Sequence, residues 1–170
     1  MIKLKKIIDK KENLSLYERR NLGDELLNLN EYKSNCNMED IDDLIVALDL
    51  FYEKDNTSIN LFEEYFKTHI AINIWDRFIS TIVRRQEFES DKLKGLSILL
   101  LKETKSVEAI KFGMLLSEFY DLINSREIIN IIADFAILDE FNEIALKVLK
   151  RLEIYELIKN HIDYFRRGKL

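Results

Sequence analysis

The feature that most constrains this chain is its lack of proline: it has none in 170 residues, and only 4 glycines. An average composition, with about 5% proline and about 7% glycine, would contain several times more of each. Because these residues mark turns and interrupt helices, their scarcity predicts few turns and many helices. The length suits one domain with a sizeable core, so we expect a single all-α domain over residues 1–170.

Helix starts are indicated by polar residues that precede stretches of apolar residues at helical spacing. The expected helix starts lie at Asn37, Ser58, Ser90, Ser106, Ser125 and Asp139. Two helices are expected upstream, at residues 2–8 and 15–29, and a final one at 154–167. No segment has convincing strand alternation. The pattern predicts roughly eight or nine antiparallel helices in layers.

Two neighbouring segments suggest how these helices pack. Residues 126–138 are apolar almost all the way round, apart from Asn130 and Asp134, which is typical of a helix covered on several sides. Residues 139–152 carry an apolar stripe that runs from Phe141 to Leu152. We therefore expect the 126–138 helix to be central, with 139–152 on one side and 107–123 on another.

The second half of the chain has a weak internal repeat. Sliding the sequence by 36 positions aligns Ala109 with Ala145 and Phe112 with Val148, an offset that suits a two-helix repeat. The stretch "IALKVLKRL" (144–152) resembles the second helix of HEAT or armadillo repeats, and "AIKFGMLL" (109–116) is a poorer copy. The resemblance implies a HEAT-like, solenoid-like stack, with 90–167 its most repeat-like part and 1–37 an N-terminal capping region.

The sequence also indicates a compartment. Its longest apolar runs, such as residues 98–101, are far shorter than the roughly 18 residues of a membrane span. Asp9 interrupts the basic N-terminal segment before a signal-peptide core can form. Cys36 is the one cysteine, so a reducing compartment is the simpler reading. We expect a cytoplasmic protein, and the heavy use of Ile, Lys and Asn weakly favours a bacterium.

The search for chemistry leads to a prediction of no catalytic, cofactor-binding or metal-binding residues. The four glycines are too far apart for a phosphate-binding loop, and the two histidines belong to no metal motif. His69 could share a helix face with Asn73 and Asp76, but an ordinary histidine is the stronger reading. An alternative stays open: an enzymatic or small-ligand site within the stack, around His69, Trp75 and Tyr120.

Charge is the one feature that stands out. Residues 39–64 hold nine acids against a single lysine, a local balance of −8. The side of the helix after Asn37 that lies opposite its apolar stripe carries Asp42, Asp43, Val46, Asp49, Leu50 and Glu53. Acids around exposed aliphatic groups suit docking to a protein with a basic surface. The alternative is a solvated face on which the N-terminal helices cover Val46 and Leu50.

These observations favour a non-enzymatic protein–protein interaction module. By analogy with other small, acidic helical proteins, it could be a bacterial immunity protein or an antitoxin that neutralises a basic toxin. Nucleic acid is disfavoured as a partner because the net charge is −5. A membrane is also disfavoured, since one short N-terminal helix binds only marginally. A homo-oligomer that hides Val46 and Leu50 across a two-fold axis is a further possibility.

Overall fold

The computed structural model describes residues 40–85 and 89–167, which form eight α-helices and one 3-10 helix with no strand among them. The prediction of an all-α fold is confirmed for this part of the chain. The expected helices at 2–8 and 15–29 and the expected cap at Asn37 lie outside the described residues. The helices are α1 (Asp42–Tyr52), α2 (Ser58–Tyr65), α3 (Ala71–Arg85), α4 (Ser90–Glu103), α5 (Val107–Leu115), the 3-10 helix (Leu116–Phe119), α6 (Arg126–Phe135), α7 (Asp139–Leu149) and α8 (Tyr155–Arg167).

The helices pack both as sequential pairs and across pairs. The pairs α1 with α2, α4 with α5, and α6 with α7 make extensive contacts. Helix α5 also packs against α3 and against α7, while α2 contacts α4 and α6 contacts α8. No helix of the described segments is long and apolar enough to cross a membrane.

Two hydrophobic cores lie on either side of the α4 and α5 pair. The first is rich in aromatic side chains from α2, α3 and α5, and the second is built mainly from isoleucines of α6 with aliphatic residues of α7. Neighbouring residues of α4 divide between them, since Leu100 belongs to the first core and Leu101 to the second. In α5, Phe112 and Met114 divide in the same way. The α4 and α5 pair is therefore shared by both cores.

The most enclosed helix is α5, in which six of nine residues are buried. The sequence predicted this central place for residues 126–138. In the structure α6 instead exposes Arg126, Glu127 and Asn130 to solvent. These polar residues recur along one side of the helix, which keeps that side out of the core because buried unpaired polar groups are costly.

The start of each helix tests the predicted caps. Ser106 caps α5, and its side chain accepts a hydrogen bond from the Ala109 backbone N–H at 3.3 Å. Ser125 occupies the N-cap position of α6, but its hydroxyl donates to the Asp121 carbonyl instead of capping. The capping assignments of Ser58, Ser90 and Asp139 are wrong. Those residues are the first helical residues, one position past the N-cap.

The predicted helix over 107–123 ends early. Helix α5 stops at Leu115 and continues as the 3-10 helix only to Phe119. Asp121 then forms a turn, because its carboxylate accepts the backbone N–H of Ile123 at 3.0 Å and its carbonyl accepts the Ser125 hydroxyl at 3.1 Å. Aspartate competes with helical hydrogen bonding in this way, and the turn separates the 3-10 helix from α6.

Candidate protein-binding surface

The six residues of the predicted docking surface lie on or at the end of α1, which begins at Asp42 and not directly after Asn37. The opposite side of α1 buries Leu44, Ala47 and Leu48 in the first core. This burial leaves the acidic side facing outward. The exposed members are Asp42, Asp43, Val46 and Glu53, and the half-buried ones are Asp49 and Leu50. Val46 is 52% exposed, which is high for a valine on a helix of the core.

Asp49 differs from the other acids of α1 because it is paired within the described chain. Its two carboxylate oxygens lie 2.9 Å and 3.0 Å from Nη2 of Arg85, at the end of α3. The pair ties α1 to α3 and neutralises the charge at the middle of the acidic face. The negative field is therefore strongest at the two ends, at Asp42 with Asp43 and at Glu53.

The N-terminal end of this surface is held by side-chain hydrogen bonds. The Asp40 carboxylate accepts the backbone N–H of Asp42, the first residue of α1, at 3.0 Å. The Tyr65 hydroxyl donates to the Asp40 carbonyl at 2.7 Å. Burial, with the nearby Asp40 charge, raises the pKa of Tyr65, so the phenol stays protonated and keeps donating. The start of α1 is thereby fixed to α2.

The C-terminal end of α1 closes with two crossed backbone hydrogen bonds. Asp55 N–H donates to the Leu50 carbonyl at 2.9 Å, and Lys54 N–H donates to the Phe51 carbonyl at 3.0 Å. This Schellman arrangement needs a left-handed residue at its centre, usually glycine. Here Lys54 takes that position with φ of 64°. A lysine is strained there, and it is also the single basic residue in the acidic 39–64 segment.

A groove of about 600 Å³ begins beside Lys54 and runs between the end of α1, the start of α2, and α4. Its apolar wall includes Phe51, Ile59 and Leu99. The charged residues at its edge are Lys54, Asp55, Lys92 and Glu103. The Lys92 ammonium lies 4.7 Å from the centre of the Tyr52 ring, a cation–π contact. The groove therefore adds an apolar cleft to the end of the acidic surface.

The residues of the alternative small-ligand site are held by three different sets of partners. Trp75 is buried against Phe112, with ring centres 5.7 Å apart. Tyr120 donates to Ser97 Oγ at 2.8 Å, and burial raises the pKa of Tyr120 to about 12. His69 stacks on the Tyr65 ring at 4.0 Å. Neither the groove beside Lys54 nor a second groove between α6 and α8 includes any of the three.

A metal edge of His69, Asn73 and Asp76, which the sequence allowed but disfavoured, does not form on one helix face. His69 precedes α3, which begins at Ala71, so it does not share a helix face with the other two. Its Nδ1 lies 2.9 Å from the Tyr65 carbonyl oxygen. Across residues 40–85 and 89–167, no group of three or more His, Cys, Asp or Glu side chains is arranged to hold a metal ion.

A half-buried charge cluster was missed from the sequence. Lys111 Nζ lies 2.7 Å from Glu108 and 3.2 Å from Glu140, while the second Glu108 oxygen accepts the backbone N–H of Ala71 at 2.9 Å. Burial opposes the lysine charge, but the two glutamates outweigh it and raise the pKa of Lys111. The cluster joins α5 to α7 and to the start of α3. The spacing of Glu108 and Lys111 signalled an ion pair, but the other two partners are distant in sequence.

Comparisons of this chain with protein-family profiles, with curated protein sequences and with solved structures find no match.

Proposed function

We propose that this chain is a protein-binding module built as a HEAT-like stack. Two helix spacings support the repeat: α3 and α5 begin 36 residues apart, and so do α4 and α6. Residues aligned by the same offset are buried alike, since Ala109 and Ala145 are both 0% exposed, as are Phe112 and Val148. In this arrangement α3, α5 and α7 form one layer, and α2, α4, α6 and α8 form the other.

The observation that carries the binding function is the exposed Val46 among the acids of α1. An aliphatic side chain that is 52% exposed loses water when a partner covers it, and this supplies affinity. Asp42, Asp43 and Glu53 attract a basic partner and speed its encounter. The face is also rigid, because hydrogen bonds fix both ends of α1. A preorganised face loses little conformational entropy on binding.

The groove beside Lys54 adds an apolar cleft to the acidic surface of α1. Interfaces often gain affinity from one apolar side chain of the partner that enters a pocket. We infer that an apolar residue of the partner occupies this groove while basic residues contact the acids of α1. Strained residues cluster at binding sites, and the left-handed Lys54 lies where the acidic face meets the groove.

The more specific form of the proposal is an immunity protein or antitoxin that acts in the cytoplasm of a bacterium. Many toxin domains are basic nucleases, and an acidic helical face is complementary to them. The partner expected on this view is a basic toxin encoded by a neighbouring gene. Binding would cover the basic surface that the toxin needs for nucleic acid.

The experiment is size-exclusion chromatography of the chain mixed with that toxin, followed by titration calorimetry. We expect a complex whose affinity falls at least about tenfold in the double variant Asp42→Lys, Asp43→Lys and in Val46→Asp. The control is Glu143→Lys, the charge reversal of an exposed acid on α7 away from the α1 face, which should bind as the original chain does.

The companion measurement is growth of cells that express the toxin. Co-expression of the chain should restore growth, and the α1 variants should restore it less well than Glu143→Lys. No complex together with no protection would remove the antitoxin version. A complex that tolerates all the α1 substitutions would show that binding uses another surface.

A further inference from the structure

The C-terminal helix α8 exposes a large apolar surface. Leu157 and Tyr164 are 72% and 74% exposed, and Phe165 is 45% exposed. Only Ile162 of this helix is fully buried. Leu157 and Tyr164 are seven residues apart, so they lie on one side of the helix, two turns from each other. Tyr164 also contacts Phe165, with ring centres 5.4 Å apart, and exposed apolar side chains grouped on one helix of a folded protein indicate contact with another molecule.

The surrounding geometry extends this surface towards α6. A groove of about 490 Å³ runs between α6 and α8, lined by Ile129, Ala133, Leu157 and His161 among others. The His161 ring contacts Phe165 with their centres 4.7 Å apart. This surface is far along the chain from the acidic face of α1 and shares no residue with it.

Two charged residues at the edge of the α8 surface have opposite signs and lie at opposite ends of the helix. Glu156 lies in the first turn and Arg167 in the last. Both are exposed, and neither forms an ion pair with another described residue. They are eleven residues apart, which is about three turns, so they lie along the same flank of the helix. One flank therefore carries an acid at one end and a base at the other.

We propose that two copies of this chain associate through α8, with the two helices antiparallel about a two-fold axis near residues 160 and 161. This rotation places Leu157 of one copy against Tyr164 of the other, twice over. In an antiparallel helix pair the same flank of each helix meets, so Glu156 of one copy lies within about two residues, or about 3 Å of helix rise, of Arg167 of the other at both ends, a gap that the long arginine side chain can span. A two-fold interface requires this self-complementarity.

Other arrangements use the surface less well. A parallel two-fold pair would bring opposite flanks of the two helices together, so Glu156 and Arg167, which share one flank, would not meet. The contact rests on one helix of 13 residues and the adjoining groove. An interface of this size is at the small end for stable association, so the dimer is expected to be weak and to depend on concentration.

Sedimentation velocity of the purified chain from about 5 to about 500 μM tests the proposal. We expect the weight-average sedimentation coefficient to rise from that of a monomer to that of a dimer across this range. Leu157→Asp and Tyr164→Asp should hold the protein as a monomer at every concentration. Both side chains are exposed, so circular dichroism should show unchanged folding. Val46→Asp, on the α1 face, is the matched control and should leave the association unchanged.

A charge swap tests the orientation of the two helices. Glu156→Arg alone and Arg167→Glu alone should each weaken dimerisation at least about fivefold, and the double variant should restore it, because each base again faces an acid. A monomer at all concentrations would overturn the proposal. So would a dimer that survives Leu157→Asp, or a double charge swap that fails to restore association.

Discussion

The two hydrophobic cores of this protein are filled by different kinds of side chain. In the first, the ring of Phe112 meets aromatic rings from α3 and from α2 with its C-cap: Phe78 and Phe66 lie 4.8 Å and 5.1 Å away, Trp75 5.7 Å and Phe62 6.4 Å. In the second, the aromatic contact between core residues is the pair Phe135 and Phe141 at 4.8 Å, and aliphatic residues fill the rest.

The difference concerns how packing energy is distributed. Aromatic pairs add about 0.5–1.5 kcal/mol each beyond the area they bury, so the first core concentrates its stability on Phe112. The second core spreads its stability over many isoleucines, each of which contributes a similar amount. Losing one side chain should therefore harm the first core more than the second.

A matched pair of substitutions, Phe112→Ala and Phe141→Ala, tests most directly whether the first core depends on a single side chain more than the second does. Both phenylalanines are almost fully buried, at 0% and 1% exposed. Such substitutions cost about 3–5 kcal/mol, and we expect Phe112→Ala at the top of that range and Phe141→Ala at the bottom. Urea unfolding would measure both. An equal or larger loss for Phe141→Ala would contradict the concentration of stability in the aromatic core.

The second prediction uses the buried phenol beside the second core. Burial raises the pKa of Tyr120 to about 12, so the folded state retains the phenol proton more strongly than the unfolded chain does. The resulting stability is complete below pH about 10 and is lost as the pH rises towards 12, by up to about 2–3 kcal/mol. Tyr120→Phe lacks this dependence and loses about 1 kcal/mol at pH 7 with the hydrogen bond to Ser97.

The free energies of unfolding of the original chain and Tyr120→Phe should therefore converge as the pH is raised from 7 to 11. Urea titrations at pH 7, 10 and 11 would check this, and every other titrating group cancels in the difference. A constant difference across that range would show that the phenol ionises equally well in both states.

The third prediction concerns the helix pair that the two cores share. A Cβ at Gly113 would lie 3.0 Å from Leu100 Cβ and 3.3 Å from the Ser97 carbonyl oxygen, whereas one at Gly95 would lie 3.7 Å from Phe51 Cζ. Gly113→Ala should force α4 and α5 apart and cost about 1–3 kcal/mol. Gly95→Ala should stabilise by up to about 1 kcal/mol through helix propensity. Thermal unfolding of both variants should show shifts of opposite sign; shifts of the same sign would mean the pair is not close-packed at Gly113.

The smallest effect on stability is expected at Lys54, in the strained turn after α1. Lys54→Gly removes the cost of holding a lysine in the left-handed conformation, which raises the free energy of unfolding. Glycine also increases the conformational freedom of the unfolded chain, which offsets part of this gain. We expect the free energy of unfolding to rise by about 0.5–1 kcal/mol in total. Lys54→Ala is the control, because alanine keeps the strain and should not stabilise. If both variants were equally stable, strain at this φ would not be the cause.

Much of this architecture could be predicted from the sequence because helices leave local signals. The stripe of α7 and the cap at Ser106 were both predicted from residues close together in the chain. The early end of α5 was missed, although Asp121, Asn124 and Ser125 are typical turn residues. Their signal was outweighed by the apolar residues around them.

Contacts between residues that are far apart in the chain could not be predicted from the sequence. Nothing local indicates that Arg85 pairs with Asp49 or that the Glu108 carboxylate accepts the Ala71 backbone N–H. The acidic face was found because charge is visible in composition. The exposed α8 surface was missed, because only the packing of α8 shows that Leu157 and Tyr164 lie on its open side.

The sharing of α4 and α5 between the two cores has a consequence for how the molecule melts. Leu100 and Leu101 are neighbours in the chain, yet each anchors a different half. If either half unfolded alone, it would expose apolar side chains of α4 and α5 that the other half needs buried. Partial unfolding therefore costs free energy. The described segments should accordingly lose their structure as one cooperative unit, despite having two separate interiors.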